Sequence, residues 1–148
     1  MIRSSRDSAC KQHLNHCFGI KDLGKLHYFL DLEVNYILDG IVLSQWKFTT
    51  QLLKDSGLID LKLATTSLPI HSKLSPDERE LVSDPTYYRT MIGKINFLTN
   101  TRPNLSFTAQ TLSQFMQQPR RSHLQALQHT LRYIQATIGK GILLKASN

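Results

Sequence analysis

The chain has 148 residues, 41% of them hydrophobic and 20% charged, a balance that fits a globular protein and excludes a disordered polar one. No apolar run approaches the roughly 20 residues that cross a bilayer, so no membrane partner is expected, and the N-terminus lacks the apolar stretch of a secretory signal. The formal charge is +7, and its excess lies entirely in residues 84–148, where eight Lys/Arg face the single acid Asp84, whereas residues 1–83 carry ten of each sign.

Ser8 to Phe18 reads as a helix, with Cys10, Leu14, Cys17 and Phe18 on one apolar face and Gly19 as its stop. The two cysteines then lie two turns apart, about 10 Å by the helix rise, too far for a disulfide, which suits a reducing, intracellular compartment. Lys25 to Tyr36 alternates apolar and polar residues and is expected to be one strand. Asp39-Gly40 signals a tight turn, and Ile41–Gln45 the returning strand. Trp46 to Ser56 reads as a helix with Phe48, Leu52 and Leu53 inward.

Residues 60–83 are polar, punctuated and aperiodic, which predicts a linker between a first lobe at 1–59 and a second at 84–148. Its acids Asp77, Glu78 and Glu80 are expected to face solvent. The second lobe predicts three amphipathic helices forming a small bundle. Asp84-Pro85 opens the first, which carries Tyr88, Met91, Ile92, Ile95 and Leu98. The second carries Leu105, Ala109, Leu112, Phe115 and Met116. The third is capped by Ser122 and carries Leu124, Leu127, Leu131, Ile134 and Ile138. Ile142-Leu143-Leu144 reads as a strand cut short without a partner, and two hairpin strands alone make a poor sheet. The expected class is α+β: an N-terminal helix and β-hairpin, a linker, and a three-helix bundle.

Chemistry is harder to find. Two-metal nucleotidyl transfer needs clustered carboxylates, and the chain has no Asp-Asp pair. Asp31 and Glu33 share one face of the first strand, where they could hold a cation or simply face solvent. Cys10, His13, His16 and Cys17 offer zinc-type ligands, but one helix aims His16 away from the others. His71, His123 and His129 show no ligand partners. No phosphate-binding loop or nucleophile elbow occurs. The basic residues Arg89, Lys94, Arg102, Arg120, Arg121, Arg132 and Lys140 are interleaved with Gln and Asn. They read equally as a solubilising face or as a set contacting phosphates.

Three blocks break this tie. Phe18-Gly19-Ile20-Lys21-Asp22-Leu23-Gly24-Lys25-Leu26-His27-Tyr28-Phe29-Leu30 with Gly40-Ile41-Val42-Leu43-Ser44-Gln45 form the first. Tyr88-Arg89 to Gly93 with Phe97-Leu98-Thr99-Asn100-Thr101-Arg102-Pro103 form the second. Leu112-Ser113-Gln114-Phe115-Met116-Gln117-Gln118-Pro119-Arg120 to His123, with Leu131-Arg132-Tyr133-Ile134, form the third. In order, from about residue 8 to 145, they resemble the Pol polyprotein of copia-type LTR retrotransposons. The resemblance implies the reverse-transcriptase region downstream of the catalytic aspartates: palm end, primer-grip hairpin, and a thumb with its connection. It also implies that the catalytic aspartates and the ribonuclease H domain belong to other parts of Pol. This chain then has no catalytic residue, metal ligand or cofactor of its own, and Mg²⁺ belongs to the complete enzyme.

The implied partners are an RNA/DNA template–primer duplex and the rest of Pol. The implied contacts are Leu30, Asp31, Leu32 and Glu33 in the grip, and Arg89, Lys94, Arg102, Arg120, Arg121 and Arg132 in the thumb. Asp31 replaces the family's usual glycine, which puts close primer approach there in question. A stand-alone nucleic-acid-binding remnant and a non-functional relic are the alternatives.

Overall fold

The structure, a computed structural model, describes residues 2–21, 23–58, 62–70, 74–76 and 80–146. The class is α+β. Helix α1 (Ile2–Phe18) is followed by strands β1 (Tyr28–Phe29), β2 (Leu32–Ile37) and β3 (Gly40–Ser44) and helix α2 (Trp46–Ser56). Helix α3 (Pro85–Leu98), a 3₁₀ turn (Pro103–Leu105), α4 (Ser106–Ser113), α5 (Arg121–Ala136) and strand β4 (Ile142–Lys145) complete the chain. Asp77, Glu78 and His71 lie outside the described residues.

The expected helix at 8–18 begins earlier, at Ile2, and its apolar face is not covered. Every described side chain from Asp7 to Phe18 is exposed, so Cys10 and Cys17 are surface thiols rather than core residues. Gly19, at φ +60, ends the helix and donates its N–H to the Asn15 carbonyl at 2.9 Å.

The expected single strand over 25–36 is two strands. Leu30 and Asp31, at φ +47 and +63, form the centre of a tight reversal that pairs Phe29 with Leu32 and Tyr28 with Glu33. Two central residues at positive φ are what a two-residue I′ hairpin requires. Alternation alone does not reveal such a break, because the apolar pattern continues through the turn.

The terminal strand also differs from expectation. Ile142–Lys145 has a partner: it pairs antiparallel with β3, giving a four-stranded sheet in the order β1-β2-β3-β4. Two glycines permit that closeness, since a Cβ at Gly40 would stand 2.0 Å from the Leu144 carbonyl oxygen and one at Gly141 2.1 Å from that of Leu43. The register places Leu32, Val34, Tyr36, Ile41, Leu43, Ile142 and Leu144 on one face of the sheet.

The core lies in the helices. Tyr88, Ile92, Ile95, Leu98, Leu105, Leu112, Leu127, Leu131 and Ile134 are almost fully buried, and Leu52 of α2 joins the same cluster. The helical spacing foretold this set, because positions three and four apart share a face. Asp84 caps α3 by accepting the Thr86 N–H at 2.8 Å, and the Tyr88 hydroxyl donates to the Leu112 carbonyl at 2.7 Å. The cap of α5 is Arg120 rather than Ser122. His123 Nδ1 accepts the Arg120 N–H at 3.0 Å. Its Nε2 lies 3.0 Å from the Ser75 carbonyl, which can only accept, so that nitrogen carries the proton. The ring stacks on Phe115 at 3.8 Å. The helix stops at Ala136, leaving Ile138 outside the buried stripe and exposed.

The described parts of the segment before α3, residues 62–70, 74–76 and 80–83, include a strap bonded to α4 and α5. Thr108 and Thr130 donate their hydroxyls to Ser67 Oγ and the Ser67 carbonyl, each at 2.8 Å. Val82 N–H reaches the Pro119 carbonyl and Arg121 N–H the Glu80 carbonyl, each at 3.0 Å.

Candidate nucleic-acid interface

The grip residues sit on the β1–β2 turn and the start of β2. Leu30, at the tip, is 70% exposed, and its left-handed backbone is unusual for a side chain of its kind. Asp31 occupies the other left-handed position, where a glycine or a short polar residue is tolerated best. Asp31 suits this position, since aspartate is among the short polar residues that adopt the left-handed conformation. Asp31 Oδ1 accepts the Tyr28 hydroxyl at 2.7 Å, which raises the Tyr28 pKa above the usual phenol range. Replacing Leu30 with glycine should stabilise the chain by about 1 kcal/mol through relief of left-handed strain, read as a higher urea midpoint with unchanged slope.

Glu33 is committed locally as well. Its Oε1 accepts the Lys47 backbone N–H at 2.9 Å, placing a carboxylate at the N-terminus of α2, where the helix dipole favours negative charge. Lys47 in turn lies over the Tyr28 ring, 5.2 Å from its centroid. The hairpin is thereby tied to α2, and neither Asp31 nor Glu33 converges with a third ligand. Among the described residues no group of three His, Cys, Asp or Glu could hold a metal ion.

The six cations assigned to the bundle are not one stripe. Arg89, Arg120 and Arg121 gather at the end where α3 and α5 begin and α4 finishes. Arg89 donates to the Met116 and Gln117 carbonyls at 2.7 and 2.9 Å, tying the turn after α4 to α3. Arg121 pairs with Glu80 of the strap at 3.0 Å. Arg120 is half-buried, and its Nε has no hydrogen-bond partner. Lys94 lies on the α2–α3 seam in an ion pair with Asp55, which holds that carboxyl below its usual range.

Arg102 is at the opposite end and only 2% exposed. It donates to the Thr137 hydroxyl and carbonyl at 2.7 and 3.1 Å and to Asn104 Oδ1 at 3.3 Å, locking the end of α5 to the 3₁₀ turn. Burial lowers its pKa, with Tyr133 acting in the opposite direction. Arg132 points along the strap side of α5, where its Nε donates to the Gln128 carbonyl one turn back at 3.3 Å. Arg89, Lys94, Arg102 and Arg121 thus have intramolecular partners, as does Arg132 through its Nε alone. Arg120 and Arg132 remain the most available of the set.

Sequence reasoning missed Lys62 and His129, which line a groove with Arg132. A lysine in an aperiodic stretch and a histidine on a helix carry no signal that the chain brings them together.

No protein-family model matches the chain, and no solved structure matches it. Among curated proteins it is 40% identical over 136 residues to the retrovirus-related Pol polyprotein from transposon RE1 of Arabidopsis thaliana, and 36% identical over 135 residues to that from transposon RE2. These matches cover 92% and 91% of the chain, but only 9% of either polyprotein. An uncharacterized mitochondrial protein of the same plant is 34% identical over 131 residues, covering 88% of the chain and 54% of that protein.

Proposed function

The chain belongs with a segment of the Pol polyproteins of copia-type retrotransposons, and from that premise we propose that it is a non-catalytic part of a reverse transcriptase that holds template–primer by its backbone. The observation carrying this reading is the collinear match over 136 of 148 residues. The concentration of positive charge in the segment that forms the helical core supports it, because such a surface favours a polyanion. Aspartates and their Mg²⁺ would come from other parts of the polyprotein, along with ribonuclease H.

The 54% coverage of a mitochondrial relative favours a second reading, in which the segment acts outside a full-length Pol as a nucleic-acid-binding module. Both readings predict no polymerisation by this chain alone. Supplied with Mg²⁺ and deoxynucleotides, the purified protein should leave a primer unextended. It should bind an RNA–DNA duplex non-specifically, with a Kd of about 10⁻⁴–10⁻⁶ M at physiological salt. Primer extension by the chain alone would overturn the proposal, as would failure to bind the duplex even at low salt.

A further inference from the structure

Between the strap and α5 lie two adjoining cavities of ≈ 450 and ≈ 320 Å³, both bounded by His129 and Arg132. We propose that this groove is a cleft for one strand of nucleic acid, with Lys62 and Arg132 as its phosphate-binding pair. The proposal rests on the nucleic-acid reading above and locates a contact that the reading leaves open.

The walls are held in place before any ligand arrives. Thr66 donates its hydroxyl to the Leu68 carbonyl at 2.7 Å, so the 3.2 Å contact between its oxygen and His129 Nε2 has the imidazole as donor. Thr130 fixes the next residue of the strap through the Ser67 carbonyl. A cleft whose sides are already ordered loses less entropy on binding.

Its chemistry suits a phosphodiester. The Nε bond to Gln128 orients the Arg132 guanidinium and leaves its terminal amines for the paired hydrogen bonds that phosphate accepts. Lys62 is exposed on the other side, and no carboxylate is present among the described lining residues. Pro69, Leu74 and Ala126 supply an apolar patch for a sugar or base. From Ser122 to Arg132 the groove follows α5 for about 15 Å by the helix rise, long enough for more than one phosphate. An extended strand fits that shape better than a free anion does.

The test is fluorescence anisotropy with a fluorescein-labelled oligothymidylate across a salt series. The double variant K62Q/R132Q should bind about tenfold more weakly at low salt. Its log–log salt slope should be shallower by about 1.4, the value for two phosphate contacts on a single strand. R132K should restore part of the affinity, and Q125E/Q128E, which places carboxylates along the groove, should also weaken binding. Circular dichroism melts confirm that each variant is folded.

Wild-type affinity and slope in folded K62Q/R132Q would overturn the cleft while leaving the wider reading intact. A wild-type chain that binds neither oligothymidylate nor RNA–DNA duplex would overturn both. Displacement of the oligonucleotide by poly-glutamate at matched charge would also count against the cleft, since charge alone would then explain the binding.

Discussion

Arg102→Ala is expected to lower folding stability by about 1.5–3 kcal/mol, the range for lost hydrogen bonds to a charged group, and to leave nucleic-acid affinity unchanged in the protein that remains folded. The guanidinium is almost wholly buried and makes its bonds to Thr137 and Asn104. Truncation would leave the Thr137 carbonyl without this donor and open a void where α5 meets the 3₁₀ turn. A side chain that met phosphate would behave in the opposite way, since its loss would weaken binding and spare stability. Urea unfolding and duplex titration of one variant separate the two roles. The resemblance implies Arg102 as a contact, and in the structure its burial and its bonds hold the end of α5 to the 3₁₀ turn.

Salt dependence should be shallow. If all six bundle cations met phosphate, affinity for a duplex would fall by about three orders of magnitude between 50 and 200 mM salt, following a slope near −0.9 per contact. Arg89 bonds the turn after α4, Lys94 pairs with Asp55, Arg121 pairs with Glu80 and Arg102 is buried. Each would have to surrender an internal partner to reach a ligand. With Arg120, Arg132 and Lys62 as the available cations, two or three contacts predict a loss of only about 10- to 40-fold over the same range. A steep, thousandfold fall would mean that the exposed pairs open on binding. Such pairs are individually weak, typically about 0–1 kcal/mol, so the experiment decides the matter by its slope.

Helical spacing made the buried faces of α3, α4 and α5 legible residue by residue, because burial at every third or fourth position leaves a periodic trace. The same holds for the Asp39-Gly40 turn and the Asp84-Pro85 start of α3. What escaped were features set by non-local geometry. The Leu30-Asp31 reversal hides within an unbroken alternating pattern. The pairing of β4 with β3 joins residues about a hundred positions apart, and no local signal encodes that. Thr66 and Ser67 look like linker residues, yet both bond to α4 or α5. The cations were read by count and position along the chain, whereas their availability depends on partners such as Asp55 and Glu80 that only folding brings near.

The most direct test of backbone holding by the helical part of the chain is hydrogen exchange with and without an RNA–DNA duplex at low salt. Slower exchange confined to residues 62–70 and 114–136, with the hairpin at 28–44 unaffected, is the expected result. Exchange unchanged throughout under saturating duplex, or protection limited to the hairpin, would contradict it.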